Sequence, residues 1–272
     1  MNDNSTNRRE FAALHQRGNP FVLPNAWDVT SALLLADAGF PAVATTSLGV
    51  NAAAGLVDGG GTGRAAAIAL AGAIVPRLDI PVTIDLEGGY SDEPASVGAL
   101  GAELASLGVA GINLEDVTGG GQLRSPAAQT AIIRAVVTAA PDLFVNARTD
   151  MYWLKIGTEN SRLEETIGRL LAYEEAGASG VFVPGLTDMA AITTVTDQVR
   201  LPLNLLWRAD VDMAQLAAAG VARVSTGSAP YRRALAAGLA TAVAARDGRK
   251  PPDPDLPYDR VQALLRQSGQ RQ

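Results

Sequence analysis

The chain has 272 residues, 47% hydrophobic and 18% charged, enough to bury one large core; one α/β domain is the economical reading, with two domains still open on length alone. A net charge of -6 offers no broad basic surface for a phosphate backbone, which excludes nucleic acid as an expected partner. The absence of cysteine excludes disulfides, thiolate metal sites and any thiol nucleophile or acid.

In chain order, Met1 to Glu10 is polar rather than signal-like, and no apolar stretch attains the roughly 18 to 20 residues of a membrane span. The expectation is a soluble, cytoplasmic protein with no membrane partner. His15, the only histidine, precedes the first strand and reads as a surface helix residue. Acid–base chemistry then falls to Asp, Glu, Tyr, Lys or bound water.

Eight short runs rich in Val, Ile and Leu follow: Phe21–Pro24, Ala42–Thr46, Val82–Leu86, Gly111–Glu115, Leu143–Ala147, Gly180–Val183, Leu203–Leu206 and Ala222–Ser225. Longer Ala/Leu segments of helical period separate them, the pattern of repeated βα units around a parallel sheet. Eight units predict an α/β fold of the closed (β/α)8 TIM-barrel type. A recurring phrase, a helix ending in Gly and then a buried strand, spans 38–47, 107–116, 176–185 and 219–228; Gly39, Gly108, Gly177 and Gly220 fit the left-handed position that closes a helix. The glycine-rich run Gly59 to Arg64 lacks dinucleotide-turn spacing and reads as a mobile lid or, alternatively, an anion-binding loop. Lys250 to Pro257 is Pro-rich and precedes a last helix at about Asp259 to Arg266. Residues 1–245 thus form the barrel with an N-terminal helix. Residues 246–272 form a linker and C-terminal helix, either part of the same domain or swapped between subunits.

A parallel barrel places its site at the C-terminal ends of its strands. That selects Asn25 and Trp27; Thr46 and Ser47; Asp85 and Glu87; Glu115 and Asp116; Asn146, Arg148 and Asp150; Asn204 and Arg208; and Ser225 and Thr226. Asp85 and Glu87 lie two residues apart, on one side of an extended strand. With Glu115 from the next strand and Asp58 from the preceding loop, the like charges must take up protons or bind a cation. Oxygen ligands without His or Cys point to Mg²⁺ or Mn²⁺ held partly through water; the rival reading pairs these acids with rim arginines. Arg148 is either a fork for a substrate anion or a salt-bridge partner of Glu115 or Asp150. Trp27 either walls the site or packs, and Tyr90 either supplies a phenol or packs the loop.

The segments Pro24-Asn25-Ala26-Trp27-Asp28, Thr45-Thr46-Ser47, Asp85-Leu86-Glu87-Gly88-Gly89-Tyr90, Asn113-Leu114-Glu115-Asp116 and Asn146-Ala147-Arg148-Thr149-Asp150 together resemble the isocitrate lyase and phosphoenolpyruvate mutase superfamily, from about residue 11 onward. The resemblance implies Mg²⁺ held by Asp58, Asp85, Glu87 and Glu115, mostly through water. It also implies substrate contacts from Thr46, Ser47, Leu48 and Arg148, to which rim position adds Trp27, Asp85 and Asn204. It implies dimers or tetramers that exchange their last helix, and chemistry through a small enolate. The expected activity is a lyase that breaks a carbon–carbon bond of a small 2-hydroxy or 2-oxo diacid, with Arg148 and Tyr90 as catalytic groups. Alternatives are a phosphonopyruvate-type mutase or hydrolase, and a non-catalytic 2-oxo acid binding protein. The loop Thr118-Gly119-Gly120-Gly121-Gln122-Leu123-Arg124 departs from the family by lacking the Lys-Cys-Gly acid of isocitrate-cleaving members, and Gln122 only loosely replaces the mutases' polar residue. Glu87 stands where the mutases have Asp.

Overall fold

A computed structural model describes residues 4–250 and 256–269. Each short apolar run forms a strand and each Ala/Leu segment a helix. In order these are α1 (Asn4–Leu14), β1 (Phe21–Leu23), β2 (Asn25–Ala26), α2 (Val29–Asp37), β3 (Val43–Thr45), α3 (Ser47–Ala53), α4 (Arg64–Ile74), β4 (Val82–Asp85), α5 (Pro94–Ser106), β5 (Gly111–Glu115), α6 (Pro126–Ala139), β6 (Phe144–Arg148), α7 (Glu159–Glu175), β7 (Gly180–Phe182), α8 (Met189–Gln198), β8 (Leu203–Leu206), α9 (Met213–Ala218), β9 (Arg223–Ser225), α10 (Ala229–Arg246) and α11 (Tyr258–Gly269).

All strand pairs are parallel, in the order β1-β9-β8-β7-β6-β5-β4-β3-β2. The first predicted strand, Phe21–Pro24, forms β1 up to Leu23, and a further short strand, β2, follows Pro24: β1 pairs with β9 and β2 pairs with β3, so the two together close the ring. Proline has no N–H to give a ladder, but its carbonyl accepts from Ala44 N–H at 2.9 Å. Asn25 spans the junction, its Nδ2 donating to Thr45 O (2.7 Å) while its Oδ1 accepts from Gly227 N–H (2.8 Å). The result is the expected (β/α)8 barrel.

Helix ends follow local chemistry. Asp28 caps α2 in a reciprocal capping box with Ser31, and Ser125, Thr158, Asp188 and Asp212 cap later helices with their side chains. The four recurring glycines all adopt positive φ, from 78° to 94°, just past a helix end, where a Cβ would be strained.

Two apolar clusters result. The larger fills the space between sheet and helices and includes Ile84, Leu114, Val145 and Val181. The smaller, with Phe11, Leu23, Ala42, Ala44, Ala110 and Phe144, plugs the N-terminal end of the barrel under α1. Phe11 is wholly buried, a contribution of roughly 1.5–3 kcal/mol. His15, expected on a helix surface, instead follows α1 and stacks on Phe144 at 4.1 Å, with edge contacts to Phe11 and Phe21. The region preceding the first strand has no periodicity that would have revealed this. Burial first, and the Arg223 charge second, pull the His15 pKa down to about 3.

The last helix, α11, packs on α2 of its own chain; Leu264 is buried there and Arg260 pairs with Asp37. Residues 251–255 of the expected Pro-rich break lie outside the described residues. Among the described residues, no helix is long and apolar enough to cross a membrane.

Candidate active site

The site is built on the strand ends, beginning with β4. Asp85 N–H donates to Thr45 Oγ1 (2.9 Å), and Asp85 Oδ2 accepts from Ser47 N–H (3.1 Å). The strand then stops. Glu87 and Tyr90 take left-handed backbones, φ 49° and 60°, which non-glycine residues adopt at a cost. The left-handed turn breaks the two-residue alternation, and the two carboxylates line adjoining hollows while staying close enough for the Asp85 charge to raise the Glu87 pKa.

Glu87 is held from both sides. Asn51 Nδ2 donates to its Oε1 at 2.6 Å, and Gly61 N–H donates to its Oε2 at 3.3 Å. The Gly59–Gly63 loop therefore serves a carboxylate of the site. Gly63 is needed for the approach of Asn51, since a Cβ there would lie 2.2 Å from Asn51 Oδ1. Asn51 also reaches Asp58, at 3.5 Å.

On the next two strands of the ring, Glu115 on β5 and Arg148 on β6 are register partners, and their ion pair is 2.9 Å long. Arg148 also grips Asp150 with Nε (2.7 Å) and Nη2 (3.0 Å). Both salt bridges weighed from the sequence are thus present, and Arg148 still lines a hollow. Asp116, one residue beyond Glu115, faces the other way; it accepts from Tyr173 Oη (2.8 Å), Arg169 (3.2 Å) and Asp150 N–H (3.0 Å), which anchors the Arg148 support.

The electrostatics are those of crowded acids. Burial pushes the Glu115 pKa up against the opposing pull of Arg148, and Asp150, Asp85 and Glu87 add to the rise. Burial likewise raises Asp58 and Glu87, reinforced by their acidic neighbours. Burial works against the Arg148 charge, but Glu115 and Asp150 outweigh it and hold the guanidinium more firmly protonated. Tyr90 is raised by burial and by the surrounding acids, so its phenol keeps its proton.

Asp58, Asp85, Thr46, Ser47, Leu48 and Arg148 line one hollow of about 120 Å³, together with Asn113, Phe182 and Ser225. That is small beside the roughly 300–1,000 Å³ of pockets for drug-sized ligands, and suits a small acid. Glu87, Tyr90 and Glu115 line the neighbouring hollow with Arg124. Two expected residues lie elsewhere. Trp27 meets Tyr231 edge-on at 5.4 Å, and Asn204 is buried beneath the first hollow, accepting from Ser225 Oγ at 3.1 Å.

Sequence reasoning overlooked Asn51, Asn113, Trp153 and Arg223. Asn113 and Arg223 were accessible to it, each lying two residues before a rim position on its strand and therefore on the inward face. Asn51 lies on the short helix α3 and Trp153 in a turn after β6, neither of which is a strand end and neither of which carries such a signal.

Among the described residues, no three acidic side chains form a ready-made metal cage. Glu87 spends both oxygens on Asn51 and Gly61, and Glu115 is tied to Arg148, whereas Asp85 spends one on Ser47. This donor set fits a hard dication reached mainly through water.

Barrel, acidic rim and small hollow define an α/β-barrel protein whose site is built from oxygen donors. The chain belongs to the phosphoenolpyruvate phosphomutase family, whose sequence pattern matches residues 11–246. It is 45% identical to an uncharacterized protein of Mycobacterium tuberculosis (strain ATCC 25618 / H37Rv) over 255 residues, covering 94% of this chain and 95% of that one. A structure from Burkholderia cenocepacia J2315, assigned as a lyase/mutase, is 34% identical with a TM-score of 0.87, covering 96% of each chain. A 2,3-dimethylmalate lyase of the PEP mutase/isocitrate lyase superfamily is 28% identical with a TM-score of 0.81, covering 99% of this chain and 96% of that one. Members of the superfamily are enzymes, lyases and mutases among them.

Proposed function

We propose that the chain is a Mg²⁺-assisted lyase that cleaves a carbon–carbon bond of a small 2-oxo or 2-hydroxy diacid. The observation that carries this reading is the convergence of Asp58, Asp85, Glu87 and Glu115 on adjoining hollows lined by two guanidinia, Arg148, already paired with Glu115 and Asp150, and Arg124, already paired with Asp92. Such a surplus of negative charge repels an acid unless a dication offsets it. Held by Asp85 and, through water, by Asp58, Glu87 and Glu115, Mg²⁺ or Mn²⁺ would supply a Lewis acid for charge developing on the substrate's oxo oxygen. Arg148, fixed by Glu115 and Asp150, binds the far carboxylate, while Thr46, Ser47 and Leu48 enclose the near end. Tyr90, which keeps its proton beside Glu87, donates a hydrogen bond to charge developing on the substrate in the place of the missing cysteine.

The test is incubation with oxaloacetate and substituted malates, with and without Mg²⁺ or Mn²⁺, following release of a small oxo acid. Metal-dependent release is expected, and a silent panel sinks this form of the proposal. The family match favours one second reading, cleavage of a carbon–phosphorus bond. Phosphorus NMR of a phosphonopyruvate incubation decides it, because an unchanged signal rules it out.

We also infer that residues 246–272 help to join homodimers or homotetramers. Exposed Leu256, Tyr258 and Leu265 within this segment support it, and exposed Leu235 and Leu239 on the preceding α10 extend the apolar surface. Light scattering that finds only monomer at micromolar concentration contradicts it.

A further inference from the structure

The interior of the barrel is apolar at its base but polar at mid-height. Arg223 on β9 points inward and is wholly buried, with no salt bridge among the described residues. Its Nε donates to Ser225 Oγ (3.0 Å), its Nη2 donates to Asn113 Oδ1 (3.1 Å), and its Nη1 has no partner. Asn113 Oδ1 also accepts from Asn146 Nδ2, at 2.9 Å. Burial draws the Arg223 pKa down to about 9 while Asp85 works to raise it, so the group stays charged at neutral pH.

These contacts settle which end of the Asn113 amide faces which way. A guanidinium can only donate, so the atom it meets must be the carbonyl oxygen. With Oδ1 taken by two donors, Nδ2 is what Asn113 offers to the hollow it lines with Asp85 and Arg148. Ser225 lines the same hollow, but it accepts from Arg223 and gives its own proton to Asn204 Oδ1 (3.1 Å). Arg223 Nη1 and Asn204 Nδ2 are left as donors, and Asn146 Oδ1 as an acceptor, without partners in this layer. A buried guanidinium without an ion-pair partner is costly, and an apolar side chain would fill the same space more cheaply.

We propose that Asn113 contacts the bound acid, donating from Nδ2 to one of its oxygens, and that Arg223 is the positioning residue that fixes this direction. The inference rests on the small-acid reading above. It adds a specificity element at the floor of the hollow that favours an oxygen acceptor and disfavours a donor group in the same place.

Calorimetry of the full chain with oxalate, a planar stand-in for the enolate of a 2-oxo acid, in the presence of Mg²⁺ tests both levels. Asn113→Asp keeps an acceptor for Arg223 and adds a counter-charge, so its thermal midpoint should equal or exceed that of the unaltered protein. It replaces the donor with an anionic acceptor, and oxalate affinity should fall about 30-fold or more, while Mn²⁺ affinity alone, read by electron paramagnetic resonance, is kept or tightened. Arg223→Met should weaken oxalate about tenfold with Mn²⁺ affinity unchanged, and Arg223→Lys should recover part of the loss. If Arg223→Met does not fold, Asn113→Asp carries the test alone. No oxalate binding by the unaltered protein overturns the small-acid reading and the contact together. Oxalate binding that Asn113→Asp leaves within twofold overturns the contact only, and an unaffected Arg223→Met overturns the positioning role.

Discussion

The two ends of this barrel are built on opposite principles. At the base, Phe11, Phe21 and Phe144 surround a neutral histidine, and the side chains there mostly attract one another through packing. At the rim, carboxylates repel one another, two residues hold left-handed backbones, and an arginine is shared between two acids. The base supplies stability that the rim consumes, and the rim's stored repulsion is what gives it affinity for a cation.

The comparison can be broken from the base by Phe11→Ala. Loss of this wholly buried ring should cost roughly 3–5 kcal/mol in urea unfolding, with Mn²⁺ affinity of the remaining folded protein unchanged. A loss of Mn²⁺ affinity in parallel would show that the two ends are not independent.

Acid sharpens the contrast, because the two ends should respond with opposite signs. His15 has a folded pKa of about 3, below the ordinary 6.5 of an unfolded chain. Its stabilising contribution is complete above pH 6.5 and is lost as pH falls from there toward 3, by up to roughly 5 kcal/mol. The check is the unfolding free energy of the unaltered protein minus that of His15→Phe, which cancels the carboxylates common to both; a difference flat between pH 7 and 4 would contradict it.

The smallest effect concerns the rim. The Asp58 pKa is raised by partial burial and by Asp85, so its charged form opposes folding above that pKa and the cost is relieved as pH falls through it. In metal-free protein at pH 7, Asp58→Asn should therefore be neutral or slightly stabilising, since solvent screens this exposed carboxylate, with the gain closing in acid, while Mn²⁺ affinity drops about tenfold. Destabilisation at pH 7 with Mn²⁺ affinity intact would reverse the assignment.

Much of the fold was legible because a strand buried on both faces must be a short apolar run. The runs Gly111–Glu115 and Leu203–Leu206 match β5 and β8 residue for residue. Position on a strand also located Asp85, Glu115 and Arg148. What it could not convey was direction after the strand ends. Glu87 lies one residue past Leu86, where backbone sign rather than alternation decides where a side chain goes. His15 was misread because its neighbours form one patch only after α1 folds beneath the barrel. Asn113 and Arg223 were readable by period but carried no weight, since polar residues inside a barrel gain meaning only from their partners.

Pro24 has a mechanical consequence. Because β1 answers only to β9 and β2 only to β3, the barrel is closed by a lap joint, and any load passed around the ring from the last unit to the first must cross at one residue. Asn25 is the strut over that joint, tied to Thr45 on one side and Gly227 on the other, and it also lines the small hollow. The wall that a ligand touches is thus the fastening that keeps the cylinder round.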